Sequence, residues 1–104
     1  MASKVIYIAG AVTGKQNLLD LAAAEAEVRE RGFIPLSPRC LPEGLSDRKY
    51  AQLCTALINA ADGVLLLNNW PSDKAATYAK RYCEFSEKFY HLRLDTLVTA
   101  LLEK

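Results

Sequence analysis

The residues best suited to chemistry follow the first apolar stretch of the sequence. The run VIYI, Val5 to Ile8, gives way to Gly10, Thr13 and the Gly14-Lys15 pair. Glycines after a first strand are typical of phosphate-binding turns, because a backbone without Cβ lets amide groups approach an anion. From this stretch alone, a plain turn between a strand and its helix is the favoured interpretation. G-x-G-x-x-G is absent and the Walker spacing is not met, which argues against ATPase and dinucleotide sites.

Polar and aromatic residues also follow a later apolar stretch, GVLLL at Gly63 to Leu67. They include Asn69, Trp70 and Ser72. Tyr7 adds a hydroxyl within the first apolar run. An aromatic surface with polar groups around it suits a base and its sugar.

Composition predicts an ordinary globular domain of residues 1–104. Of the 104 residues, 51% are hydrophobic and 24% are charged, and no Pro-, Gly- or Ser-rich stretch could serve as a linker. A net charge of +1 gives no field that favours a nucleic-acid polymer or a membrane surface. The three cysteines are odd in number and lack a C-x-x-C pair, so we expect reduced thiols and a cytoplasmic location, with no metal. No cofactor is expected.

Hydrophobic spacing and turn residues predict strands that alternate with helices. The predicted elements are a strand at Val5 to Ile8, a helix capped by Asn17 and running to Gly32, a strand at Phe33 to Leu36, a loop at Ser37 to Leu45, a helix capped by Ser46 and running to Ala60, a strand at Gly63 to Leu67, a helix from about Asp73 to Tyr90, and a helix from Leu94 to Leu102 with or without a very short strand before it. In the first helix Asp20 stands at the capping-box position, and Glu25 pairs with Arg29 four residues on. In the second, Tyr50 has the helical spacing of the apolar residues. Pro35 places the second strand at an edge, and the third should be central because it is the most apolar.

This alternation indicates an α/β fold, a small Rossmann-like three-layer sandwich with a parallel sheet of three to five strands. Ligands of such sheets bind beyond the carboxyl ends of the strands. That rim carries three polar loops, at Gly10 to Lys15, Ser37 to Arg39 and Asn68 to Ser72. We therefore expect the binding site there.

Four segments together resemble the nucleoside 2-deoxyribosyltransferase-like superfamily, particularly its small phage and bacterial branch of uncharacterised domains. They are IYIAGAVTGK, AEAEVRERG, PLSP and AADGVLLLNNWPS. Members of that branch typically read YIAGPxTG early and end the third strand in GW-x-x-S. The resemblance covers Val5 to Tyr78, and Gly10-Ala11 departs from the usual Gly-Pro.

The resemblance implies a flavodoxin-like fold that binds a nucleoside or nucleotide, with chemistry at the N-glycosidic bond. It implies ligand-binding roles for Tyr7, Gly10, Ala11, Thr13, Gly14, Pro38, Asn69, Trp70 and Ser72. The family's serine at the position of Ser72 is associated with members that accept a 5′-monophosphate. A hydroxyl tolerates a phosphate, whereas a carboxylate would repel it.

The catalytic positions of the family are altered in this sequence. Its nucleophilic Glu, six residues after the loop serine, corresponds to Tyr78, and its second carboxylate corresponds to Cys54. A glycine near the ligand corresponds to Lys74. Since an oxocarbenium-like transition state requires a carboxylate near the anomeric carbon, these departures favour a protein that binds without catalysis.

Three hypotheses follow. The first is a non-catalytic nucleotide-binding protein that sequesters a nucleotide or a nucleotide-derived signal. The second is an N-glycosidase or deoxyribosyltransferase acting on nucleoside 5′-monophosphates, in which an insertion of six residues after Ser72 brings Glu84 to the nucleophile position. The third is a protein-interaction module that uses Trp70 and the helix after it. We favour the first, and expect a homo-oligomer because Leu97, Val98, Leu101 and Leu102 form an apolar helix face.

Overall fold

The computed structural model describes residues 4–12, 14–42, 44–68, 74–86 and 90–102. In these ranges the chain alternates between strands and helices. The elements are β1 (Val5–Ala9), α1 (Lys15–Glu30), β2 (Ile34–Leu36), a 3-10 turn (Pro38–Cys40), α2 (Asp47–Ala60), β3 (Gly63–Leu66), α3 (Lys74–Ser86), β4 (Tyr90–His91) and α4 (Leu94–Leu102). None of the helices in these ranges is long and apolar enough to cross a bilayer.

The strands form one parallel sheet in the order β2-β1-β3-β4. Tyr7 of β1 is in register with Leu36 of β2 and Val64 of β3. Pro35 lies in the edge strand, as its missing N–H predicts. The apolar strand β3 is internal, which is also as predicted. The expected parallel α/β sheet is confirmed, with four strands in the described chain.

Helices cover both faces of the sheet, because successive strand side chains point to opposite sides. Ile6, Ile8 and Leu65 pack with residues of α1 and α4. Tyr7, Val64 and Leu66 pack on the other face with residues of α2 and α3. The three-layer arrangement places the loops that follow β1 and β2 at one end of the sheet.

The start of α1 differs from the prediction. Asn17 was expected to cap this helix, but the helix begins at Lys15 with Gly14 as its N-cap residue. Gly14 has φ 90° and ψ 152°, a conformation that side chains with Cβ rarely adopt. Asp20 accepts a hydrogen bond from Gln16 Nε2 at 3.0 Å and does not complete a capping box. Because Gly14 adopts this conformation, α1 starts at Lys15 rather than after Asn17.

The other helix boundaries agree with the prediction except at the end of α3. The Ser46 hydroxyl accepts a hydrogen bond from Lys49 N at 3.2 Å, which confirms the predicted cap of α2. The predicted third helix extended to Tyr90, but α3 ends at Ser86 and Tyr90 belongs to β4. Parallel pairing of Tyr90 with Val64 explains this difference, since a strand at the sheet edge replaces the last helical turn.

The apolar face of α4 packs against its own sheet. Leu97 and Leu101 are 0% and 1% exposed, and a Cβ placed on Gly63 of β3 would lie 2.9 Å from Leu97 Cδ1. The part of the oligomer argument that rested on Leu97 and Leu101 is therefore wrong, because these side chains are covered within the chain. Leu102 remains 70% exposed, and the oligomeric state stays a prediction.

Candidate functional site

A cleft of about 560 Å³ opens at the carboxyl ends of β1 and β2. Its walls come from the loop after β1, the first turn of α1, the segment after β2 and the first turn of α2. The described lining residues are Val12, Leu18, Pro38, Arg39, Leu41, Pro42, Gly44, Leu45 and Tyr50. Most are apolar, and Arg39 is the charged member of this set. The cleft lies at the end of the sheet where parallel α/β folds bind ligands.

Tyr7 is buried beside this region. Its side chain is 2% exposed, and its hydroxyl is hydrogen-bonded to the side chain of Cys54. Burial raises the pKa of Tyr7 far above its ordinary value, and Cys54, Tyr50 and Cys40 raise this pKa further. The hydroxyl is therefore neutral at physiological pH and acts as a hydrogen-bonding group rather than as an anion.

A polar network fixes the segment after β2 onto α1. The Ser37 hydroxyl donates to Glu25 Oε2 at 2.9 Å, and Arg39 Nε forms an ion pair with the same oxygen at 3.1 Å. The Glu25 side chain is 14% exposed, while Ser37 is 4% exposed and also accepts a hydrogen bond from Arg39 N. Because Arg39 also lines the cleft, this network holds a cation at the cleft wall.

The predicted ligand residues fall into two groups. Among the described ones, Pro38 lines the cleft and Tyr7 is buried in the middle of β1. Gly10 and Ala11 are buried directly after β1, and Gly14 is the N-cap residue of α1. The remaining four lie outside the described residues. They are Thr13, Asn69, Trp70 and Ser72.

Glu84, the candidate nucleophile of the enzyme hypothesis, lies near the end of α3. It forms an ion pair with Lys80, and its carboxylate accepts a hydrogen bond from Tyr90 Oη at 3.4 Å. The hydrogen bond from Lys80 holds the pKa of Glu84 below its ordinary value. Glu84 is not among the described residues that line the cleft. Its contacts are those of a charged surface pair.

The two positions that correspond to the expected family carboxylates hold side chains with other contacts. Tyr78 Oη accepts a hydrogen bond from Thr55 Oγ1 at 3.2 Å, and its ring stacks on Tyr82 at 6.2 Å between centroids. Tyr78 thus links α3 to α2. Cys54 is 1% exposed and hydrogen-bonded to Tyr7. Neither of these two positions therefore supplies a carboxylate.

Sequence reasoning missed three residues that shape the cleft. Arg39 was placed on the rim but given no role, and Glu25 was interpreted only as a partner of Arg29, which does lie 4.0 Å away. Tyr50 was assigned to the core by its helical spacing. The proline-bounded segment Ser37 to Pro42 was the available signal, because such segments hold their side chains in fixed positions.

No metal centre is evident in the described ranges. They contain no group of three or more His, Cys, Asp or Glu side chains arranged to hold a metal ion.

Comparison with known proteins supports the fold assignment. A 2-deoxyribosyltransferase from the psychrotolerant bacterium Bacillus psychrosaccharolyticus has a similar structure, with a TM-score of 0.69 and 20% sequence identity over 83% of this chain and 69% of that chain. No curated protein sequence matches significantly. The sequence profile of one family, a domain of unknown function, matches residues 4–88. Since this match spans most of the sequence, the chain belongs to the DUF4406 family.

Proposed function

We propose that this protein binds a nucleotide in the cleft at the carboxyl ends of β1 and β2 and leaves its N-glycosidic bond intact. The observation that carries the proposal is the cleft itself, which is lined mostly by residues with apolar side chains and by one cation held in an ion pair. Apolar surfaces with a few placed polar groups are the usual setting for a heterocycle. The fold resemblance to a 2-deoxyribosyltransferase, described as a biocatalyst for nucleoside synthesis, makes a nucleoside-type ligand the natural choice.

The proposed pose places the base in the cleft and the phosphate beyond the carboxyl end of β3. Ser72, to which the family resemblance assigns the phosphate, lies outside the described residues. Neighbouring strands lie about 4.8 Å apart, so the ends of β2 and β3, on either side of β1, are about 10 Å apart. A nucleoside monophosphate is long enough to span that separation. Between the two ends lies β1, which contains Tyr7 and is followed directly by Gly10.

The proposed lack of catalysis follows from the side chains at the corresponding family positions. Cleavage through an oxocarbenium-like transition state requires a carboxylate close to the anomeric carbon. At these positions Tyr78 is instead hydrogen-bonded to Thr55, and Cys54 is hydrogen-bonded to Tyr7. None of the described residues that line the cleft is Asp or Glu. A site of this kind would sequester a nucleotide or a nucleotide-derived signal, for which affinity is needed and turnover is not.

Binding is tested by thermal shift and calorimetric titration with mono-, di- and cyclic nucleotides. We expect at least one nucleotide to raise the melting temperature, because a ligand specific for the folded state stabilises it. Leu18→Glu should abolish the shift, since Leu18 lines the cleft. Leu19→Glu is the matched control, because Leu19 is its exposed neighbour and is not among the described lining residues.

No shift with any nucleotide would overturn the proposal and favour the protein-interaction hypothesis. Equal loss of binding in Leu18→Glu and Leu19→Glu would show that the nucleotide does not bind in the cleft.

Catalysis is tested separately by incubating the protein at high concentration with deoxynucleoside monophosphates and assaying free base. We expect no base to be released. Release that Glu84→Gln abolishes would instead support the N-glycosidase hypothesis, with Glu84 as nucleophile.

A further inference from the structure

We propose that Arg39 selects the base, and that the cleft takes a heterocycle with two adjacent hydrogen-bond acceptors on one edge, as guanine and hypoxanthine have in O6 and N7. This inference rests on the proposed nucleotide function and names the class of base that the same site accepts.

Arg39 is held in place before any ligand arrives. Its Nε lies 3.1 Å from Glu25 Oε2, and that carboxylate also accepts the Ser37 hydroxyl. The Glu25 side chain is only 14% exposed, whereas Arg39 retains 40% exposure. A guanidinium fixed by a partly buried carboxylate loses little conformational freedom when it binds, which favours selective recognition.

The contact with Glu25 is made by Nε, the guanidinium nitrogen nearest the main chain. The two terminal nitrogens lie further along the side chain and present parallel N–H groups. Such a fork matches two neighbouring acceptors, and arginine pairs with guanine O6 and N7 in this way. Adenine keeps the N7 acceptor but presents an N6 amino donor beside it, so one of the two N–H groups of the fork would face another donor.

The cleft walls make that mismatch costly. Val12, Leu41 and Leu45 are among the lining residues, and they offer a displaced donor no hydrogen-bond acceptor on their side chains. Leaving a polar group unpaired in such surroundings is penalised more than a lost contact in water. Where the base contacts these apolar side chains, the base preference conferred by Arg39 is therefore strengthened.

The charge balance favours a base over a phosphate as the partner of Arg39. The Glu25 carboxylate, whose Oε2 lies 3.1 Å from Arg39 Nε, neutralises much of the positive charge of the guanidinium. It would repel a nearby phosphate, whereas a neutral base edge is not repelled in this way. In the proposed pose the phosphate lies beyond the carboxyl end of β3, two strand positions away from β2, which precedes Arg39.

The test compares IMP with AMP by isothermal titration calorimetry. These nucleotides share sugar and phosphate, and differ in the base at position 6 and in protonation at N1. We expect IMP to bind about 10-fold more tightly than AMP, with GMP close to IMP. Arg39→Gln and Arg39→Lys should reduce the IMP to AMP ratio to about twofold or less, because neither side chain presents the guanidinium fork.

Arg29→Gln is the matched control. Arg29 approaches the same carboxylate, at 4.0 Å, but is not among the described residues that line the cleft. This variant should keep the IMP preference of the unmodified protein.

Two results would overturn the inference while leaving nucleotide binding intact. One is equal affinity for IMP and AMP in the unmodified protein. The other is that Arg39→Gln lowers the affinity for IMP and for AMP by the same factor and also lowers the ratio of IMP affinity to inosine affinity. That result would assign Arg39 to the phosphate. If no nucleotide of the wider panel binds, the proposed function fails together with the base preference.

Discussion

At the scale of single residues, Tyr7 shows how a position of interest in the sequence acquires physical meaning. A hydroxyl within an apolar run could be predicted to matter, but not what it would contact. The fold brings Cys54 of α2 to it and buries both side chains. Tyr7 is thereby kept neutral, since a phenolate would have to form without water.

The buried hydroxyl predicts a loss of stability at alkaline pH. The pKa of Tyr7 is raised in the folded state, so its contribution to stability is complete below its ordinary value of 10.0 and declines as the pH rises above that value. Denaturant unfolding should show this decline. In Tyr7→Phe the decline should be smaller, at a cost of about 1 kcal/mol near neutral pH for the lost hydrogen bond. An unchanged alkaline slope in Tyr7→Phe would contradict the prediction.

The residues of the Arg39 network mark a limit of sequence reasoning at this scale. Spacing alone predicted the pair of Glu25 with Arg29, because residues four apart meet on a helix. The contacts of Glu25 with Ser37 and Arg39 depend on how the segment after β2 folds back over α1. No local periodicity encodes that approach.

At the scale of elements, the positions of β1, β2 and β3 in the sheet could be predicted from the sequence, whereas the start of α1 could not. The apolar runs of β1 and β3 and the proline of β2 determine their positions in the sheet through burial and hydrogen bonding. The start of α1 depends on the positive φ of Gly14. Asn17 and Asp20 match the spacing of a capping box, and this match predicted a later start. Glycine permits this conformation, but its presence alone does not require it.

The cap of α2 predicts a measurable and reversible loss of stability. Ser46→Ala removes the acceptor for Lys49 N and should lower the free energy of unfolding by about 1 kcal/mol, as measured by urea denaturation. Ser46→Asn should recover most of that loss, because asparagine also accepts at this position. Equal destabilisation by both substitutions would show that Ser46 acts through something other than capping.

At the scale of the whole molecule, the α/β class and the end of the sheet that carries the cleft could be predicted from the alternation of strands and helices. The shape of the cleft could not, since Leu18, Tyr50 and Arg39 come from separate elements. Tyr50 has the spacing of a core residue, and only the packing of α2 against the loops turns it toward the cleft.

A long-range ion pair predicts acid sensitivity of the packing between α1 and α4. Arg31 Nη2 lies 2.5 Å from Asp95 Oδ1, and this hydrogen bond, with a smaller effect from Arg93, lowers the pKa of Asp95. The resulting stabilisation is present above the ordinary pKa of 3.8 and is lost as the pH falls below it. Asp95→Asn should be less stable than the unmodified protein near neutral pH, and unfolding curves should converge in acid. Parallel pH profiles would rule this contribution out.

The central position of β1 has a consequence for synthesis on the ribosome. β1 is translated before β3 and α3, yet one of its edges pairs with β3, and Tyr7 is covered partly by α3. Until those later segments emerge from the exit tunnel, the nascent chain carries an unpaired strand edge and an uncovered apolar face, both of which promote aggregation. The sheet can therefore complete its folding on the ribosome only after β3 and α3 have been translated.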